Sequence, residues 1–234
     1  MTSTVEAQTA EEIVAKYVKA VGGMEKINAV TSVRKTGKYI GGGGFEIPFV
    51  VEQKRPNMIR QEFIFQGLTG ITAYDGKEGW KIQPWEGKKE AEGLDEEEMK
   101  QIVEDSDFDG PLVNYQQKGN KVEFVGMDPV EGSDAYKLKV TLGSGDVEYY
   151  YMDTDYFVPI KIDVSRMVRG APREYETVLG DYKEVAGWYI PFSTETNVKG
   201  SQDKAKVEFD TIDANVTLDD SRFSKPPLTA KPKQ

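Results

Sequence analysis

The feature that most constrains the fold is a succession of short strand-like segments separated by tight turn signals. One series runs from 30 to 83 and a second from 121 to 214, with glycine, proline, asparagine and aspartate between the segments. Links this short join neighbouring antiparallel strands. The pattern predicts an antiparallel meander of about a dozen strands, which is too many for a sheet that stays flat.

Two segments have helical periodicity instead. Thr9 and Glu12 form a capping box ahead of an apolar helix face. Asp95 and Glu98 form a second capping box between the two series of strands. No linker or internal repeat divides the chain, so we predict a single mainly β (α+β) domain over residues 1–234.

The composition excludes several classes of active site. The 234 residues include no cysteine and no histidine. Thiol catalysis, Ser-His-Asp triads and zinc sites built on histidine or thiolate are therefore excluded. The net charge of −10 disfavours nucleic acid as a partner. We expect no cofactor and no enzyme activity, and an enzyme based on paired carboxylates is the least favoured alternative.

Several motifs, taken in order, carry a resemblance to a known family. Lys54-Arg55-Pro56-Asn57 is followed one hairpin later by Asp75-Gly76-Lys77-Glu78-Gly79-Trp80, then Pro84 and Trp85. A middle block, 109–138, and the closing run Leu218-Asp219-Asp220-Ser221-Arg222-Phe223 agree with it. Together they resemble LolA, the periplasmic carrier of outer-membrane lipoproteins, and its LolA/LolB superfamily. The resemblance covers residues 10–226, and the tails at 1–8 and 226–234 are expected to be flexible.

The resemblance implies a fold and a function. The fold is a strongly curved antiparallel sheet that forms an incomplete barrel, with helices covering its concave face. The implied function is a periplasmic carrier or binding protein that sequesters lipid or lipoprotein acyl chains in an apolar cavity. A domain that senses a lipid or envelope signal on the same scaffold is the alternative. The implied partners are a lipid or acylated lipoprotein and inner- or outer-membrane sorting proteins. We expect a monomer, and the polar opening of this chain does not have the pattern of a signal peptide.

Aromatic residues of the strands are the candidates for lining such a cavity. Period-2 alternation places Phe63 and Phe65 on one face of their strand and Ile64 on the other, so both faces of that strand are apolar. A pocket is expected between the sheet and the helices at 10–21 and 96–104. Ordinary sheet core is the alternative for each aromatic residue. The candidate lining residues are Phe49, Phe63, Phe65, Tyr74 and Trp80.

Two further candidates concern a lid and a metal. The resemblance implies that Arg55 hydrogen-bonds a helical lid, and an ordinary surface arginine at a turn is the alternative. Asp105, Asp107 and Asp109 open like an EF-hand calcium loop, but the terminal position is Gln116 instead of a bidentate glutamate. We therefore predict no metal, and we interpret the three aspartates as a helix-breaking turn.

Overall fold

The computed structural model of the protein describes residues 8–168 and 170–227. The tails predicted to be flexible lie almost wholly outside this range. The described residues form three α-helices: α1, Ala10–Ala20; α2, Gly23–Ala29; and α3, Glu96–Ser106. They also form thirteen strands. These are β1 (Ser32–Ile40), β2 (Glu46–Lys54), β3 (Met58–Phe65), β4 (Leu68–Tyr74), β5 (Gly79–Ile82), β6 (Glu92–Gly93), β7 (Lys121–Met127), β8 (Ala135–Thr141), β9 (Val147–Asp153), β10 (Pro159–Val168), β11 (Ala171–Val185), β12 (Trp188–Val198) and β13 (Lys204–Ala214). The prediction of a mainly β, antiparallel fold is confirmed.

The chain divides into two compact units. The first unit contains Met1–Asn28 and Asp109–Lys204, and the second contains Ala29–Phe108 and Ala205–Gln234. The chain therefore passes from the first unit to the second, returns to the first, and ends in the second. The assignment of all 234 residues to a single domain stays a prediction.

In the first unit, strands lie in the order β12-β11-β10-β9-β8-β7 and pair antiparallel. Helix α1 packs its apolar face on β8 and β9. Ile13 and Val14 of this helix join a fully buried cluster, whose other members are Leu112, Leu138, Val140, Tyr150 and Met152. A helix of 11 residues is marginal alone in water, so this packing is what stabilises α1.

In the second unit, the order is β6-β5-β4-β3-β2-β1-β13, again antiparallel. Helix α3 packs on β3 and β4 through a small cluster in which Ile102 contacts Ile59 and Tyr74. Neither set of strands closes on itself, as the predicted incomplete barrel requires.

The local signals for the helix ends are confirmed. The Thr9 hydroxyl accepts from the Glu12 amide, and the Asp95 carboxylate accepts from the Glu98 amide, with both reciprocal bonds formed. Leu94 and Met99 meet over Gly79, as expected of a hydrophobic staple around the α3 N-terminus. Within the described residues, we find no helix that is both long and apolar enough to cross a membrane.

Candidate functional site

The candidate site is built on the face of the second unit's sheet on which α3 packs. Residues directly opposite each other on paired strands point to the same face. Two phenylalanines therefore lie between two glycines in one row across the sheet. The register of this row is Gly37↔Phe49, Phe49↔Phe63 and Phe63↔Gly70. The glycines leave room for rings, because a Cβ at Gly37 would lie 2.9 Å from Phe49 Cζ.

Aromatic rings continue on this face beyond that row. Phe209 meets Phe49 edge-on with ring centroids 5.6 Å apart, and Trp85 meets Phe65 edge-on at 6.5 Å. A Cβ at Gly70 would overlap the Trp85 ring. We call Phe209, Phe49, Phe63, Phe65 and Trp85 the aromatic stripe. The exposed fraction rises along it from 5% at Phe49 to 40% at Phe65 and 42% at Trp85.

Helix α3 covers only one end of this face. Tyr74 lies opposite Ile59 at that end, and both contact Ile102 in the small cluster under the helix. Burial raises the pKa of the Tyr74 hydroxyl, and the neighbouring Asp75 carboxylate raises it further. Tyr74 is thus on the same face as the aromatic stripe but belongs to the packed helix interface.

The structure places Trp80 on the opposite face. Trp80 lies across from Ala73, one position out of step with Tyr74, so its ring points away from α3. Its indole Nε1 donates to the backbone carbonyl of Phe223 at 2.7 Å, and Phe223 is itself fully buried. The five candidate lining residues are therefore divided, with Trp80 separated from the other four.

Two polar side chains interrupt the apolar face beside the aromatic stripe. Lys35 lies opposite Val51 on β2 and Ile212 on β13, and its Nζ is 5.8 Å from the centroid of the Phe209 ring. Desolvation lowers the pKa of the Lys35 ammonium from 10.5 to about 8, and Asp105 opposes this shift. Gln53 is buried, and its Nε2 donates to the Asp105 carbonyl at 2.7 Å while its Oε1 is without a hydrogen-bond partner.

Arg55 lies against two segments that flank helices. Its Nε donates to the backbone carbonyl of Val30 at 2.8 Å, one residue after α2 ends. Its guanidinium carbon is 4.7 Å from the centroid of the Phe108 ring, two residues after α3 ends. These are the kinds of contact expected of a lid latch, and the latch itself stays a prediction.

The acidic residues at the C-terminal end of α3 make contacts within the protein. Asp105 Oδ1 accepts from Gln101 Nε2 at 2.7 Å, and Asp107 caps the helix C-terminus. Across residues 8–168 and 170–227, no three acidic side chains converge into a group that could hold a metal ion. Calcium binding by Asp105, Asp107 and Asp109 stays untested, and their interpretation as a helix-breaking turn stays a prediction.

A groove of about 490 Å³ opens in the first unit. It lies between the side of α1 and residues 112–117, and its lining mixes Val14, Val18 and Leu112 with Glu11 and amide side chains. The side of α1 that faces the strands is filled by the buried cluster. The groove is therefore beside the helix, whereas the pocket was expected beneath it.

No protein-family model matches the chain, and no curated protein matches it either. Solved structures do. A LolA superfamily protein from Nitrosomonas europaea matches with a TM-score of 0.62 at 13% identity, over 94% of this chain and 99% of that one. A DUF1329 family protein from Desulfovibrio piger gives 0.62 at 11%, over 93% and 98%. An outer-membrane lipoprotein-sorting protein domain from Vibrio parahaemolyticus gives 0.60 at 12%, over 92% and 95%.

The fold is LolA-like. Sequence identities this low establish the fold and leave function to be argued from the site. Within the LolA-like fold, two of the motifs noted in sequence are in contact. Lys54 Nζ donates to the Leu218 carbonyl at 2.8 Å and to Asp220 Oδ1 at 2.6 Å, which ties the strand-junction motif to the closing run.

Sequence reasoning missed two parts of the second unit. The buried Glu52 carboxylate accepts from Arg222 Nε at 2.7 Å on the face opposite α3, so the closing run is bonded to β2. Lys35 was not singled out either, although Val33, Lys35, Gly37 and Tyr39 alternate toward one face of β1. A lysine between inward-facing positions was the signal that could have identified it.

Proposed function

We propose that this protein is a carrier or binding protein for acyl chains of lipids or lipoproteins, working in the periplasm. The observation that carries the proposal is the aromatic stripe, a continuous set of rings that becomes more exposed away from α3. Exposed apolar surface of this kind is typical of a binding site. Its LolA-like scaffold supports the same function only by analogy.

Burial of a hydrocarbon chain supplies the driving force. Each methylene group that leaves water for an apolar surface stabilises the complex by about 0.8 kcal/mol. An acyl chain lying along Phe63 and Phe65, with the buried Phe49 ring at its inner end, would also cover surface that α3 leaves exposed. We propose these three residues as the lining, with Tyr74 at its boundary and Trp80 as a structural residue of the opposite face.

Helix α3 is the proposed lid. It contacts the sheet through the small cluster around Ile102 and through two polar contacts, Gln53 with the Asp105 carbonyl and Lys81 with Glu98. Arg55 contacts the segment that follows the helix. Opening the lid would separate few buried side chains, which suits a segment that must move for loading and release. Arg55 would bias the lid toward its closed position through its contact with Phe108.

The first test is direct. Native mass spectrometry of the purified protein should detect a co-purified lipid, and a fatty acid should displace a bound hydrophobic dye and raise the melting temperature. Phe65→Ser should weaken dye binding several-fold. Tyr189→Ser in the first unit is the matched control, because Tyr189 is 42% exposed and Phe65 is 40% exposed. Equal dye binding by both variants and the parent would remove the aromatic stripe as the site.

A transfer assay separates a carrier from a sensor. If the protein is a carrier, the loaded form should pass its lipid to acceptor membranes or to a partner protein that sorts lipoproteins. Retention of the lipid would support the sensing alternative on the same scaffold. An enzyme built on paired carboxylates is the remaining alternative, and turnover of the bound lipid in the same assay would support it.

A further inference from the structure

Lys35 is a lysine whose neighbours on the paired strands are apolar. It lies in the row next to Gly37 and Phe49, about 7 Å away along the strand. Its flanking residues on the paired strands are Val51 and Ile212, and Phe209 is the ring nearest its ammonium group. Lysine rarely takes such a position unless its charge is paired.

The charge of Lys35 is not paired within the part of the chain that the structure describes. The Nζ has no hydrogen bond and no ion pair there, and Asp105 acts on it only through space. Other lysines of the same unit differ. Lys38, on the same strand but the opposite face, pairs with Glu46 at 3.2 Å, and Lys81, on the same face, pairs with Glu98 of α3.

A second polar group near Lys35 is also unsatisfied. Gln53 lies diagonally across from Lys35 on β2, since it is opposite Val33, and its buried Oε1 has no partner. Buried polar atoms are usually hydrogen-bonded, so each exception needs an explanation. The Lys35 donor, open next to the aromatic stripe, suits an anionic head attached to an apolar chain, whereas the Gln53 Oε1 acceptor can be satisfied only by a head that still carries a proton, such as a singly ionised phosphate.

We propose that Lys35 binds the anionic head of a free amphiphile, a carboxylate or phosphate, whose acyl chain lies along the aromatic stripe. The inference rests on the proposed function and narrows it from acyl chains in general to acyl chains with a negatively charged head. An anion beside Lys35 supplies a counter-charge in direct contact, which none of the described residues places there. A charge-assisted bond of this kind in a partly desolvated site is stronger than one in water.

The test compares ligands that share a chain and differ in the head. Palmitate, hexadecyl phosphate and the neutral methyl palmitate are titrated against the parent protein and against Lys35→Met, which keeps the volume and removes the charge. The parent should bind at least one of the two anions about tenfold more tightly than the ester. Lys35→Met should lose that preference and keep its affinity for the ester.

Control variants separate a local effect from a general one. Lys38→Met removes one positive charge from the same strand on the opposite face and should bind all three ligands like the parent. Lys35→Arg should keep the preference for anions. If Lys35→Met does not fold, the parent remains informative, because its preference for the anions should decline as pH rises above 8 and Lys35 loses its proton.

The outcomes distinguish this inference from the proposed function. An equal preference for anions in the parent and in Lys35→Met would overturn the role of Lys35 while leaving acyl-chain binding intact. Tighter binding of the ester than of both anions by the parent would do the same. Failure of the parent to bind all three ligands would remove the proposed function and the inference together. Preference for palmitate or for hexadecyl phosphate identifies which of the two heads the site takes.

Discussion

The two units use the same parts to different ends. Each has an antiparallel sheet and a helix of 11 residues that begins with a capping box. In the first unit, α1 places Ile13 and Val14 in a continuous buried cluster that spans β8 and β9. In the second unit, α3 places Ile102 over Ile59 and Tyr74 and leaves the aromatic stripe beyond it partly exposed.

The difference between the buried faces of α1 and α3 indicates that the first unit's helix serves stability and the second unit's helix is free to serve function. A helix with a wide buried face stabilises the fold, and moving it would expose a large apolar area. A helix with a small buried face can move at a lower cost. The second unit gains stability on the face opposite α3 instead. There the Glu52–Arg222 ion pair and the Trp80–Phe223 hydrogen bond attach the closing run to the sheet.

The largest expected effect is on the core beneath α1. Ile13→Ala should reduce the free energy of unfolding by about 4 kcal/mol, since it leaves a cavity in a fully buried cluster. Ile102→Ala, the same change in α3, should cost about 2 kcal/mol because its cluster is smaller and can collapse. Urea denaturation measures both. Equal losses, with lipid binding unchanged by Ile102→Ala, would mean that α3 is a core helix like α1.

The next effect concerns the opposite face of the second unit. Arg222→Met should destabilise the protein by about 2 kcal/mol, because it leaves the buried Glu52 carboxylate without its closest cation. Lys199→Met is the control, since it breaks a solvent-exposed pair with Glu174 that contributes little to stability. A loss no larger than the control would show that the closing run is not a clamp.

Much of the fold followed from local signals. The strand segments and both capping boxes depend on residues close in sequence, and all of them appear in the structure. The two-residue strand β6 was missed, because Glu92–Gly93 carries no periodic pattern. A short turn at Gln66 and Gly67 joins β3 to β4, and both residues have positive φ. Gln-Gly is a weaker turn signal in the sequence than Asn-Gly or Asp-Gly.

The site was less accessible to sequence reasoning, since it depends on long-range register. Alternation alone places Phe63 and Phe65 on one face, and the strand register adds Phe49 and Tyr74 to that face. Trp80 was grouped with them, yet its face is set by the pairing of β5 with β4 and by a contact to Phe223, which is 143 positions away. Lys35 resembles an exposed lysine until the strand on either side of it is known.

A smaller effect is expected at Arg55. Arg55→Leu should destabilise the closed position of α3 by about 1 kcal/mol, the scale of a cation–π contact such as that of the Arg55 guanidinium with the Phe108 ring. Lipid loading should become faster while the melting temperature changes little, because the sheet core is untouched. Stopped-flow dye uptake measures the rate. Arg173→Leu, an exposed arginine of the first unit, is the control.

Two results would contradict the latch. Unfolding of the Arg55 variant would make the residue structural, in which case α3 and the segment after it are held as firmly as α1. Dye uptake at the parent rate would make Arg55 a bystander. Either result would weaken the contrast between a fixed helix and a movable one.

The smallest expected effect is the pH dependence that Lys35 contributes to stability. Its pKa is lowered to about 8 in the folded protein, mainly by desolvation, with Asp105 on α3 acting against the shift. Between pH 8 and the unfolded value of 10.5, the unfolded chain therefore binds more protons than the folded one. Stability conferred by this site must then rise with pH across that window. The rise should be about 1 kcal/mol, less than the full shift implies, because water reaches the half-buried amine.

The parent minus Lys35→Met difference in unfolding free energy, measured from pH 7.5 to 10, isolates the effect from tyrosine titration. A flat difference would mean that Lys35 is solvated like the lysines of the opposite face, and the second unit's helix-covered face would then have no buried charge for a ligand to neutralise.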